Sequence, residues 1–210
     1  MDGQAGKPGP LRLAVLLSGG GTTLENLLAR MADGRLRGVE IRVVISSRNE
    51  VRGVRIARAA GLPLVIIRRR DYGDDDAFST AITATLDAAG VDLGVLAGFL
   101  CFWRIPPTYL GRVLNIHPAL LPRFGGRGFF GHHVHEAVLA AGETQSGCTV
   151  HLADNQYDHG PIVAQSVVPV EPGDTPETLA ARVGAAEREL YPQVIQRVAD
   201  EGLAWLRQFR

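Results

Sequence analysis

The chain has 210 residues, 46% of them hydrophobic, and its 22 basic and 22 acidic side chains cancel to a formal charge of +0. That length favours one domain with a sizeable core, and the balanced charge argues for neither nucleic acid nor an anionic membrane as partner. Two cysteines, Cys101 and Cys148, make neither a disulfide framework nor a zinc spacing, no apolar run reaches the ~18 residues of a membrane span, and a cytoplasmic protein is expected.

Residues 1–10 are rich in glycine, proline and polar groups and are expected to form a disordered tail, not a signal peptide. Leu11 to Leu17 is an apolar, branched run broken only by Arg12, which predicts a buried strand. Ser18-Gly19-Gly20-Gly21-Thr22-Thr23 follows, and then a helix from Leu24 with Leu27, Leu28 and Met31 on one face. Strand, glycine loop and helix start form an anion-binding arrangement, because glycines admit close backbone approach and the helix dipole favours a phosphate. A dinucleotide loop would need a small residue where Leu24 stands and an acidic one near Ser46-Ser47-Arg48, and no Gly-Lys-Ser/Thr occurs. A monophosphate fits the short loop better.

Glu40 to Ser46 reads as a second strand, Arg52 to Ala60 as a short helix ended by Gly61, and Leu64 to Ile67 as a third strand. Arg68-Arg69-Arg70 reads as a solvated strand exit, and Asp74-Asp75-Asp76 as cap and first-turn charge for a helix over Ala77 to Ala89. Leu93 to Ala97 is a fourth strand, leading into the aromatic loop Gly98 to Trp103. Pro106 to Gly111 reads as a turn or short helix, and Arg112 to His117 as a fifth strand. Strands alternate with helices up to this point, which predicts an α/β fold with a doubly wound, mostly parallel sheet.

From Gly125 the texture changes to a glycine-rich loop with aromatics, then a short helix over Val134 to Ala141. Ser146 to Leu152 and Ile162 to Val170 read as two antiparallel strands, a C-terminal extension of the sheet. A long C-terminal helix is expected from Pro176, capped by Thr175 or Asp174, with Tyr191-Pro192 kinking or splitting it and a second piece running to about Glu201.

Asn115 and His117 lie two apart on the fifth strand and so project to one side. An amide and an imidazole at one strand end can bind an oxyanion or hold it while a proton moves. Asp158, in the turn between the last two strands, could orient His117 and favour its cationic form. His132, His133 and His135 lack a standard zinc spacing and are read as substrate-facing or structural, with no metal expected.

Leu114-Asn115-Ile116-His117-Pro118-Ala119-Leu120-Leu121-Pro122, then Gly147-Cys148-Thr149-Val150-His151, then Asp158-His159-Gly160-Pro161-Ile162-Val163 resembles the folate-dependent formyltransferases. The resemblance runs from about Leu11 to Glu201 and includes the opening glycine loop. It implies one domain over 11–210, with 11–110 binding phosphate and 111–210 carrying catalysis and folate. It implies a catalytic trio of Asn115, His117 and Asp158. Gly21, Thr22 and Thr23 would grip a substrate phosphate, and Glu187 would bond ribose hydroxyls. Leu100, Cys101, Phe102 and Trp103, with Asn115 and with Asp154, Asn155, Gln156, Tyr157 and Asp158, would line the folate pocket.

The implied reaction passes the formyl group of 10-formyltetrahydrofolate, as co-substrate, to the amine of glycinamide ribonucleotide in purine synthesis. Asn115 and protonated His117 would stabilise the oxyanion, with neither metal nor ATP, in a monomer or homodimer. Many family members carry an Arg near the start of the third helix where Asp75 stands here, so either Arg68, Arg69 or Arg70 substitutes or the folate tail is held differently. The loop Gly125 to Phe130 is longer than its counterparts and is expected to reshape the substrate lid. A formyltetrahydrofolate deformylase shares the trio but is expected to carry a regulatory domain before a first strand such as that at Leu11. A methionyl-tRNA formyltransferase would bring a further C-terminal domain and a basic surface. A non-catalytic sugar-phosphate-binding module would keep the glycine loop without the trio.

Overall fold

The first strand, β1 (Leu11–Leu17), reads as a continuous apolar run because helices cover both of its faces. In the computed structural model, which describes residues 9–209, alternate β1 side chains enter two different cores. Leu13, Val15 and Leu17 pack with Leu24 and Leu27 of α1 (Thr22–Ala32) and with Val194, Ile195 and Val198 of α5 (Pro176–Glu201). Ala14 and Leu16 pack on the other face with Phe78, Ile82 and Leu86 of α3 (Asp75–Ala88). The expectation of a disordered tail over 1–10 falls on residues 1–8, outside the described residues, and on Gly9 and Pro10, which are exposed.

The remaining strands and α-helices are β2 (Val39–Ser46), α2 (Arg52–Ala59), β3 (Leu64–Ile66), β4 (Leu93–Leu96), β5 (Val113–His117), α4 (His132–Ala140), β6 (Gln145–Leu152) and β7 (Ile162–Pro169). They build one seven-stranded sheet in the order β3-β2-β1-β4-β5-β6-β7. The first five strands pair in parallel, while β6 runs antiparallel to β5 and to β7. This is the expected doubly wound sheet with an antiparallel extension. The chain winds outward from β1 to β3 and returns to the other side of β1 as β4, so the loops after β1 and β4 diverge at their C-terminal ends. Ligands settle in such a crevice in open α/β sheets. Its root is fastened by Ser18: its N–H donates to Gly98 O at 3.0 Å, and its Oγ accepts from Leu100 N–H at 2.8 Å and from Ser47 Oγ at 2.6 Å.

Helix starts are set by local features. Helix α1 starts at Thr22, before the expected Leu24, because Gly21 at φ 71 serves as its N-cap. Helix α4 starts at His132, which puts His132, His133 and His135 in its first turns. Asp74 caps α3 through its side chain, which accepts from Ala77 N–H at 2.7 Å, as the acidic triplet suggested.

Of the expected kink or split at Tyr191-Pro192, the split does not form: α5 runs as a single helix from Pro176 to Glu201 with Pro192 inside it. Proline has no N–H, so the carbonyl four residues earlier, that of Arg188, loses its helical partner. Asn26 of α1 replaces it, donating from Nδ2 to Arg188 O at 2.8 Å. Tyr191 also anchors this part of α5 to the sheet, its hydroxyl donating to Leu114 O at 2.9 Å and reaching Leu96 O at 3.2 Å. Beyond α5 the chain forms a 3-10 helix over Leu203–Phe209, which the sequence did not announce. Among the described residues, no helix is long and apolar enough to cross a membrane.

Candidate active site

Strand β5 delivers Asn115 and His117 to the crevice from one side of the sheet, and its antiparallel pairing with β6 sets His151 directly across from Asn115. His117 is buried, with its Nε2 2.7 Å from Phe124 O. A carbonyl oxygen only accepts, so Nε2 carries a hydrogen. Its Nδ1 lies 3.5 Å from Asp158 Oδ2. His151 Nδ1 faces Leu152 O at 3.1 Å and therefore carries the hydrogen there. His151 Nε2 is then free to accept from Asn115 Nδ2 at 3.0 Å. Both tautomers follow from the partners.

Asp158 completes the cluster from the β6–β7 turn, held at φ 52. Its Oδ2 accepts from Gly126 N–H at 2.9 Å, and its Oδ1 lies 3.4 Å from Asn115 Nδ2 and 3.6 Å from His151 Nε2. The turn is fixed by close approach at Gly160, where a Cβ would stand 1.8 Å from Leu152 O. Burial alone would push the Asp158 carboxyl up, but His151, the charge of His117 and the Gly126 N–H together hold it below its ordinary value. For His117 the balance runs against expectation. Burial pulls the imidazole below its ordinary value, with His151 adding to that, and outweighs Asp158 and the Phe124 carbonyl, which favour the cation. Asp158 therefore does not offset the effect of burial on His117.

These groups open onto a cleft of about 380 Å³ at the sheet's switch point. Gly19, Gly20, Gly21, Thr22 and Thr23 border it. No side chain caps α1, so the N–H groups of its first turn lack intrahelical partners. Gly21 is required there: its φ is positive, and a Cβ would lie 2.5 Å from Gly53 Cα of α2. Arg52 braces the loop by donating to Gly20 O at 3.1 Å and to Glu25 Oε1 at 2.6 Å. Glu187 reaches the cleft from α5, and burial pushes its carboxyl up to about 7.

Leu100, Cys101, Phe102 and Trp103 border the cleft from the loop after β4. Asp154, Gln156 and Tyr157 face them, with the Phe102 and Tyr157 rings 5.4 Å apart. Asn155 is not part of the lining. Its Oδ1 accepts from Ile105 N–H at 2.7 Å and its Nδ2 donates to Ile105 O at 3.1 Å, which ties the two loops together. Arg69 is paired with Asp75 and Arg68 with Asp71, and none of Arg68, Arg69 and Arg70 borders the cleft. The long loop contributes Gly126, Gly128, Phe129 and Phe130 to the rim. Among the described residues no group of three or more His, Cys, Asp or Glu is arranged to hold a metal ion. His132 bonds Glu177 at 2.8 Å and His133 bonds Glu136 at 3.2 Å.

His151, the Phe124 carbonyl and the Gly126 N–H join the site without having stood out in the sequence. The signal for His151 is its register opposite Asn115, which period-two alternation suggests once β5 and β6 are paired. The two backbone groups leave no side-chain signal.

The formyl transferase family model matches residues 11–195. Phosphoribosylglycinamide formyltransferase, chloroplastic, of Arabidopsis thaliana is 37% identical over 98% of this chain and 71% of its own length. The Escherichia coli (strain K12) phosphoribosylglycinamide formyltransferase is 32% identical over 93% of both chains. Against a trifunctional purine biosynthetic protein of Drosophila pseudoobscura pseudoobscura, the chain spans 14% of the length. The crystal structure of glycinamide ribonucleotide transformylase 1 from Symbiobacterium toebii superposes with a TM-score of 0.84 at 38% identity, covering 91% of this chain and 89% of that one. With the family model matched along nearly the whole sheet and the site built on it, this chain belongs to the formyl transferase family.

Proposed function

We propose that this protein transfers the formyl group of 10-formyltetrahydrofolate to the amine of glycinamide ribonucleotide, as a cytoplasmic step of purine synthesis. The observation that carries this reading is the meeting, in one cleft, of a glycine loop at a helix start with the Asn115, His117 and Asp158 cluster. The loop suits the phosphate of the acceptor, and the Glu187 carboxyl suits ribose hydroxyls. The loop pair Leu100 to Trp103 and Asp154 to Asp158 suits the flat folate ring, with Phe102 and Tyr157 as walls.

In this reading the amine attacks the formyl carbon, and the formyl oxygen becomes an oxyanion. Asn115 Nδ2 offers it a hydrogen by giving up the long 3.4 Å contact with Asp158, while the 3.0 Å bond to His151 keeps the amide oriented. The growing negative charge raises the proton affinity of His117, against the downward pull of burial on its imidazole. The proton of the attacking nitrogen passes through the His117 and Asp158 pair to the departing folate nitrogen. The formyl group arrives already activated on nitrogen, so the chemistry calls on neither ATP nor a metal.

Folate absorbance measured with and without glycinamide ribonucleotide tests the reading. Formyl loss that depends on the acceptor is expected. Loss that ignores the acceptor would make the protein a hydrolase, and no loss in either case would leave a binding module.

A further inference from the structure

His135 enters the cleft from α4, is 5% exposed, and has a buried Nδ1 without a hydrogen-bond partner. The other buried orphans among the described residues, Ser146 Oγ and Trp205 Nε1, belong to residues that do not border the cleft. Folded proteins seldom leave a buried ring nitrogen unpaired, and His135 borders a cleft from which a ligand can supply the partner. We infer that His135 is a binding residue for the acceptor substrate, hydrogen-bonded to the uncharged span between its phosphate and its reacting amine.

The placement supports that assignment, which rests on the acceptor proposed above. The glycine loop marks the phosphate end of the cleft, and Asn115 with His117 marks the reacting end. His135 and Glu187 border the same cleft from α4 and α5, which pack on each other. Phe102 and Tyr157 belong to the loops read as the folate side. Burial pulls His135 below its ordinary value, and His132 and His117 add to this, so the ring is neutral near neutral pH. A neutral imidazole offers one N–H and one lone pair, which suits an amide or a hydroxyl better than a phosphate. Its neighbours in α4 have other tasks: His132 and His133 are turned to Glu177 and Glu136.

Steady-state kinetics of His135→Leu and His135→Asn, with each substrate varied in turn, test the inference. The Leu variant is expected to raise KM for glycinamide ribonucleotide about tenfold or more, the factor one lost hydrogen bond allows, with KM for 10-formyltetrahydrofolate nearly unchanged. The Asn variant, which keeps a polar group near the position of Nδ1, is expected to recover most of that loss. An unchanged acceptor KM in the Leu variant, or equal rises for both substrates, would overturn the inference. Should the Leu variant not fold, the ¹⁵N resonances of the wild-type His135 ring decide it: glycinamide ribonucleotide alone must shift them, and no shift contradicts the assignment. A wild-type protein that ignores the acceptor altogether would instead sink the proposed function.

Discussion

Both hydrogens on Asn115 Nδ2 have partners before any ligand arrives, one at His151 Nε2 and a weaker one at Asp158 Oδ1. The unequal pair lets one bond orient the amide while the other is released to an oxyanion. Asp158 has three tasks: it faces His117, receives Asn115 and pins the Gly126 N–H. Asp158→Asn preserves the shape and removes the charge. It should lower kcat by about 10²–10⁴, the range of a lost proton-transfer group, while KM for the acceptor changes little. A variant with near-normal kcat, measured at saturating substrates, would contradict the role. At this scale the sequence carried Asn115 and His117, because alternation along a strand is local. His151 went unassigned because its meaning depends on the register of a strand more than thirty residues away. The downward pull of burial on His117 was also hidden, since burial is a property of the whole neighbourhood and not of the Asn-Ile-His-Pro stretch.

At the scale of elements, α5 shows how a distant residue decides a local outcome. Pro192 argued for a break, and the argument is sound for an isolated helix. The carbonyl it strands, on Arg188, is rescued by Asn26 from α1. Asn26→Leu should therefore cost about 1 kcal/mol and lower Tm by about 2–4 °C. In a Pro192→Ala background an N–H returns to Arg188 O, and the same Asn26→Leu change should cost less than half as much. An equal cost in both backgrounds, read by thermal unfolding, would refute the rescue. The strands were legible because β1, β2 and β4 are covered on both faces, which forces continuous apolar runs. Helix starts at Gly21 and Gly131 were less so, because they depend on backbone angles that many loop glycines could adopt.

On the scale of the whole molecule, the outward and returning windings place the glycine loop beside β4, and the antiparallel β6 and β7 bring Asp158 back over β5. The fold class was readable from strand and helix alternation, but this convergence was not, since it requires the strand order. Glu187 sits where the long helix meets that cleft, and its carboxyl is raised from the ordinary 4.5 to about 7 by burial. A raised carboxyl binds its proton more tightly in the folded state, so its contribution to stability is present below about 4.5 and is lost as pH rises through about 7. Glu187→Gln should accordingly gain on the wild type in Tm, on the order of 5 °C, between pH 5 and 8 without ligand. A pH-independent difference would show that the carboxyl titrates normally. The central claim, that the cleft joins an acceptor amine to a folate-borne formyl group, is tested most directly by following a ¹³C-labelled formyl carbon by NMR. The label should appear as the N-formyl signal of glycinamide ribonucleotide and move only when that acceptor is present; label released as free formate with or without the acceptor would overturn the transfer.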